Sequence, residues 1–194
     1  MPKKLTEVYI SIDVEADGPI PGPHSMLSIG AAAFTEKGDL LGTFHATLDN
    51  LPGAVGDPDT MTWWAKYPDA WKAAREGTRP PPDVMKEFVE WVEAKPGTPV
   101  CVAFPVGFDF MFAYWYMRQF VGRSPFSFSS IDGKTYAMAM MRKPYRRSGK
   151  SNMPRRWFDK SAKHTHVAVD DAIEQGRLFM NMLRENLAAE KAHT

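Results

Sequence analysis

The sequence predicts an α/β fold: a mixed sheet in which an antiparallel three-strand meander is extended by parallel strands and flanked by helices. Three observations predict it. Three strand-like runs come first, separated by short links. Helical and strand-like segments then alternate, as they do when helices cover a sheet. The chain ends in a long segment whose apolar residues recur at helical spacing.

Residues 7–14 (EVYISIDV), 27–34 (LSIGAAAF) and 41–48 (LGTFHATL) read as strands, the last two joined by the turn-like EKGD. Asp59 is placed to cap a helix over TMTWWAK, Pro68 to start a second, and Pro82 or Asp83 to start a third through DVMKEFVEWVEA. PVCVAF reads as a short strand, and an almost wholly apolar helix follows near 108–121. Asp132 is placed to cap a helix through TYAMAMM. In the last helix Val169, Ala172, Ile173, Gly176, Phe179, Met180, Leu183 and Leu187 form one apolar face.

A length of 194 residues fits one domain, which at that size buries roughly 70% of its extended-chain surface without metal or disulfide staples. Cys101 is the only cysteine, which excludes an internal disulfide framework and a cysteine-based zinc cluster. The N-terminal MPKKLTEVYISIDVEADG reaches charge too early for a signal peptide. The most apolar stretch, Cys101 to Met117, is interrupted by Pro105, Gly107 and Asp109 and falls short of a roughly 20-residue membrane span. A cytoplasmic location and no membrane partner are expected.

The formal net charge of +1 conceals an uneven distribution. Residues 1–141 hold 12 basic and 17 acidic side chains, a net of −5. Residues 142–163 hold nine basic and one acidic, a net of +8, and residues 164–194 return to −2. The basic segment, RKPYRRSGKSNMPRRWFDKSAK, also carries Tyr145, Trp157 and Phe158, with Pro144, Gly149 and Pro154 keeping it irregular. Cations such as Arg146, Arg147, Arg155 and Arg156 can neutralise phosphates, while aromatic faces can stack on unpaired bases. A solvated surface is the plainer reading of such a run taken alone.

Acidic residues gather at three places. Asp13 and Glu15, two apart at the end of the first strand, share a face. Beside Ile10, Ile12 and Val14 their unpaired charge is costly, and a divalent cation would relieve it; a strand ending in solvent would need none. Asp109 is the only charged residue between Lys95 and Arg118 and sits among phenylalanines. Either it lies at a helix start, where the backbone dipole tolerates an anion, or it holds metal. His166, Asp170 and Asp171 open the last helix. A helical wheel puts Asp170 under His166 only if His166 is itself helical, so spacing does not choose between the two aspartates.

In combination, D-x-E on the first strand, an Asp preceded by an aromatic at a helix start, and H-x-A-x-x-D opening the last helix resemble the DEDDh 3′-5′ exonucleases. That family has a ribonuclease-H-like fold and includes proofreading exonucleases, oligoribonuclease and ribonuclease T. The resemblance runs from about residue 7 to 184 and implies a single exonuclease domain over 1–194. It implies that Asp13, Glu15, Asp109 and Asp171 hold two divalent ions, Mg2+ or Mn2+, with Asp13 bridging, and that His166 is the general base. Asp171 is thereby preferred over Asp170. Two departures stand out. The stretch after D-x-E is ADGPIPGPHSML rather than the family's short Thr-Thr-Gly-Leu-like turn, and Pro105 replaces an Asn four residues before the third acid. The Trp63–Trp64 pair, with Trp71, is similar to a phage and mycobacterial branch that includes exoribonucleases.

The implied activity is hydrolysis of single-stranded nucleic acid from the 3′ end to 5′-mononucleotides; the sequence does not choose between RNA and DNA, and RNA is slightly preferred. A DNA exonuclease of proofreading or repair type, an endonuclease of the ribonuclease H type, and a non-catalytic binding module on the same scaffold are the alternatives. Clustered carboxylates give a pure phosphate-binding surface no advantage, which weighs against the last. Dimers are frequent among the relatives, so a homodimer is one expected assembly; the sequence leaves the oligomeric state open.

Overall fold

In a computed structural model describing residues 6–159 and 165–191, the sheet is built outward from β1 (Glu7–Ala16). β2 (Met26–Thr35) pairs with β1 antiparallel, and β3 (Leu40–Thr47) pairs antiparallel with β2. On the other side β4 (Thr98–Ala103) runs parallel to β1, and the two-residue β5 (Ile131–Asp132) runs parallel to β4. The order is β3–β2–β1–β4–β5. This is the mixed sheet expected from the sequence: a meander joined to parallel strands.

β1 is buried on both faces, and its period of two sorts side chains between two helical layers. Val8, Ile10, Ile12 and Val14 pack against α3 (Pro81–Glu93) and α4 (Val106–Phe120) through Val84, Phe88, Phe112 and Tyr116. Tyr9 points the other way, to Phe179 of α6 (Ala168–Lys191). Ser11, Asp13 and Glu15 share that second face by alternation. Helix α6 therefore covers the face that carries the acids.

Two glycines permit the close approach of α6. A Cβ at Gly30, which pairs with Asp13 across β2, would stand 2.1 Å from the backbone of Ala168. At Gly176 a Cβ would stand 2.3 Å from the Phe34 ring and 2.9 Å from the Ser11 Cβ. The first turn of α6 thus rests directly on the strand beside Asp13.

Several helix boundaries differ from those read in the sequence. α1 (Pro58–Trp64) is capped by Asp57 rather than Asp59: its carboxylate accepts from Thr60 N at 2.9 Å, and Pro58 starts the helix because it has no N–H to satisfy. α2 (Pro68–Arg75) starts at Pro68 as expected, whereas α3 starts at Pro81 and α4 at Val106, each earlier than expected. Asp132 does cap α5 (Gly133–Met141), accepting from Thr135 N at 2.7 Å. The strand β5 is too short to leave a periodic signal. Leu187, read as part of the apolar face of α6, is 45% exposed, one turn beyond Leu183.

The basic segment is irregular, as its prolines imply: three 3-10 turns cover Tyr145–Arg147, Lys150–Asn152 and Arg155–Trp157. Its aromatics do not form an open stacking surface. Trp157 is buried and donates from Nε1 to Glu185 at 2.7 Å, and Phe158 is half-buried; only Tyr145 is exposed. Lys160 and Lys163, two of the segment's cations, lie outside the described residues.

Replacing Gly30 with alanine should force α6 off the sheet and destabilise the fold by roughly 1–3 kcal/mol, the usual cost of overpacking. Chemical denaturation measures this, and stability equal to the parent would show that the helix can shift without loss.

Candidate active site

Four acids and a histidine from β1, α4 and the start of α6 meet at one end of the sheet. Asp13 and Glu15 come from the end of β1 and keep intermediate exposure, whereas Asp109 and Asp171 are 3% and 1% exposed. Asp109 sits in the first turn of α4, on the opposite layer, and reaches the end of β1, where its Oδ1 accepts from Val14 N at 3.1 Å. Its Oδ2 is buried and has no hydrogen-bond partner among the described residues. Ligand atoms of Glu15, His166 and Asp171 lie within 4.8 Å of one another, close enough to share one cation.

The structure separates the two aspartates that helical spacing could not. Asp171 is buried, faces Glu15 and His166, and accepts from Thr165 N at 3.2 Å. Asp170 is exposed and accepts from Thr165 Oγ1 at 3.0 Å. His166 has a φ of 55°, in the left-handed region, so it precedes the helix rather than belonging to it.

Burial and mutual repulsion make this cluster hold protons. Burial first, then the charges of Asp13, Asp171 and Asp109, push the Glu15 carboxyl up to about 9. Burial and Asp171 push Asp13 up to about 7, opposed by a hydrogen bond from Gln175 and the charge of Lys150. Asp109 is raised well above the ordinary carboxylate range by burial and by Asp13. Carboxylates so placed are destabilised when ionised unless a cation joins them. An all-oxygen set of carboxylates suits hard cations such as Mg2+ or Mn2+, and the orphaned Asp109 Oδ2 fits that role.

Gln175 and Tyr67 escaped the sequence reading, and Trp63, singled out there, had no link to His166. Gln175, one turn after Asp171 on α6, is buried and donates from Nε2 to Asp13 Oδ1. An i, i+4 wheel from Asp171 would have found it. Trp63 meets the His166 ring edge-on with centroids 5.3 Å apart, and Tyr67 lies 4.7 Å away. These contacts join residues about a hundred positions apart, and no local signal reveals them. Beside Glu15 lies a cleft of about 470 Å³, lined by Ala16, Gly18, Pro19, Thr60, Trp63 and Phe108. The proline-rich loop after β1 is held there by buried Asp17, which accepts from Asn50 Nδ2 at 3.0 Å, and by Trp64 Nε1, which donates to Ala16 O at 3.0 Å.

The four arginines singled out as phosphate contacts are all exposed but not equivalent. Arg156 is engaged by Glu185 through two hydrogen bonds of 2.8 and 2.7 Å. Arg146, Arg147 and Arg155 make no ion pair among the described residues.

Residues 8–183 match the family described as the 3′-5′ exoribonuclease Rv2179c-like domain. The chain is 28% identical over 183 residues to the 3′-5′ DNA exonuclease Cap18 of Escherichia coli, covering 89% of this chain and 90% of that protein. The nuclease domain of 3′hExo, a DEDDh family member bound to rAMP, is similar with a TM-score of 0.68 at 13% identity over 94% of each chain. Pop2p of S. pombe in its Mg2+- and Mn2+-bound form is similar with a TM-score of 0.64 at 16% identity, over 89% of this chain and 81% of that one. The sheet and its helices are thus ribonuclease-H-like, the fold of these structures, and the protein is a 3′-5′ exonuclease. A match spanning β1 to the body of α6, with every acid of the cluster inside it, means that the chain belongs to the Rv2179c-like 3′-5′ exoribonuclease domain family.

Proposed function

We propose that the protein removes 5′-mononucleotides one at a time from the 3′ end of single-stranded RNA, using two divalent cations, Mg2+ or Mn2+. The observation that carries this reading is the convergence of Glu15, His166 and Asp171 within 4.8 Å, beside a buried Asp109 oxygen that has no hydrogen-bond partner. Asp13, Glu15, Asp109 and Asp171 would hold the cations. Such ions, when bound, neutralise phosphate charge and acidify an attacking water.

The chain's own residues do the rest. His166 accepts a proton from the water as its oxygen attacks the terminal phosphodiester. The bond to the 3′-oxygen of the preceding nucleotide breaks and that oxygen takes a proton from solvent, leaving a shortened strand with a 3′-hydroxyl and a free 5′-mononucleotide. Trp63 and Tyr67 hold the His166 ring in place. The terminal nucleoside enters the cleft between Trp63 and Phe108. Arg146, Arg147 and Arg155 draw the strand in, and Arg156 contributes less because Glu185 already holds it.

The family's description as exoribonucleases supports RNA. Likeness to a DNA exonuclease over 90% of that protein favours a second reading, DNA as substrate. Side-by-side degradation of matched 5′-labelled RNA and DNA with Mg2+ or Mn2+ decides between them, with a chelator control. Asp13→Asn should abolish cleavage of whichever is used while leaving the melting temperature close to the parent's. Cation-independent cleavage, or full activity of that variant, would overturn the mechanism.

His166→Ala should lower turnover by roughly 10²- to 10⁴-fold and remove the acid limb of the pH–rate profile. Trp63→Ala should lower turnover less, by freeing the ring, and an unaltered rate would show that Trp63 does not position His166.

Stability of the cation-free protein should fall as pH rises from about 5 to 9. Asp13 and Glu15 have ordinary values of 3.8 and 4.5 when unfolded, against about 7 and 9 when folded. Across that window the folded state holds protons that the unfolded state has lost, so raising the pH favours unfolding. Adding Mg2+ or Mn2+ should shrink the decline, because cations replace those protons. Denaturant unfolding at several pH values, with and without chelator, measures both effects.

A further inference from the structure

Among the described residues of the basic segment, Lys150 is a cation held beside the acid cluster. Its Nζ lies 2.6 Å from Glu174 Oε2 and 5.6 Å from the centre of the Phe104 ring. Glu174 stands one turn past Asp171 on α6 and next to Gln175, which bonds Asp13. Phe104 ends β4's run toward the first turn of α4, where Asp109 sits. The ammonium thus lies between the helix that supplies Asp171 and the residue that leads from β4 toward Asp109.

We propose that Lys150 is a phosphate-binding residue of the active site, its ammonium held on Glu174 so that it contacts a non-bridging oxygen of the strand's 3′-terminal phosphodiester. The proposal rests on the nuclease reading above and adds a residue to it. A lysine ammonium carries three donors, and a bond to Glu174 uses one of them. With its side chain 30% exposed and that of Glu174 13%, Lys150 remains open to an incoming group. Charge complementarity points the same way. Asp13, Glu15, Asp109, Asp171 and Glu174 together with a phosphodiester outweigh two divalent cations, and Lys150 reduces the excess of negative charge. A purely structural ion pair pinning the turn to α6 would satisfy Glu174 equally well, so the test must count phosphate contacts rather than activity.

The test uses the full chain with Mg2+ and a 5′-labelled oligonucleotide whose 3′-terminal linkages are phosphorothioates to slow turnover. Binding is followed by fluorescence anisotropy across a salt series. Lys150→Gln should weaken binding by about ten- to a hundred-fold, the scale of a charge-assisted hydrogen bond. It should also reduce the slope of log K against log salt by about 0.7, the value for one phosphate contact on a single strand. Lys150→Arg, which keeps the charge and the stem over Phe104, should restore most of both. A slope unchanged in Lys150→Gln overturns the proposal, whatever happens to activity or stability. Cleavage of unmodified strands by the parent protein reports separately on the nuclease reading. Intact cleavage with an unchanged slope removes Lys150 alone, whereas absent cleavage with a reduced slope removes the nuclease reading alone.

Discussion

The close seating of α6 on β1 and β2 is the contact on which the site depends. Gly30 and Gly176 leave room for helix backbone and aromatic ring where any Cβ would collide. That contact sets the depth at which Asp171 and Gln175 meet Asp13, and it decides which of two adjacent aspartates faces inward. From the opposite layer, α4 brings Asp109 round the end of the same strand to bond Val14 N. One strand thus receives acids from two helical layers, and its alternation puts Asp13 and Glu15 on the face covered by α6, beyond the apolar contacts of Tyr9 with Phe179.

The cluster is costly to keep in the absence of cations. Every acid in it whose pKa is displaced is displaced upward, and burial is the largest cause in each case. Ordinary packing would not retain such an arrangement, because an apolar replacement of similar volume is usually at least as stable as buried charge. Strain of this kind is what a functional centre looks like from the standpoint of stability. The same logic explains why Gln175 is buried with its amide on Asp13: it fixes one oxygen of that carboxylate.

Much of the fold was legible because it rests on local periodicity. The period of two in β1 placed Asp13 and Glu15 on one face, the 3.6-residue repeat outlined α6, and Asp132 announced its helix. Legibility ended where tertiary contacts decide. Asp57 displaced Asp59 as a cap because Pro58 opens the helix, a difference of two residues that pattern alone does not resolve. Trp157 looked like a stacking face in a run of cations, yet its indole is buried against α6. The four acids and His166 could be named from spacing and resemblance, but their convergence depends on the register that sets Asp13 opposite Gly30. Trp63 and Tyr67 lie about a hundred residues from the histidine they touch, so only the folded chain joins them.

From Lys150 to Trp157 the basic segment is not a loose arm. Lys150 is tied to Glu174, Arg156 and Trp157 to Glu185, and Asn181 donates to Trp157 O at 2.8 Å, so the part between Lys150 and Trp157 is anchored along the body of α6. The conformational entropy of ordering these residues is lost at folding rather than at each encounter with a strand. In the proposed role, capture of a 3′ end would therefore carry little ordering cost, unlike a disordered tail that must fold as it binds. An enzyme that must grip and release the same strand after every nucleotide gains from that arrangement, because each cycle begins from charges already in position.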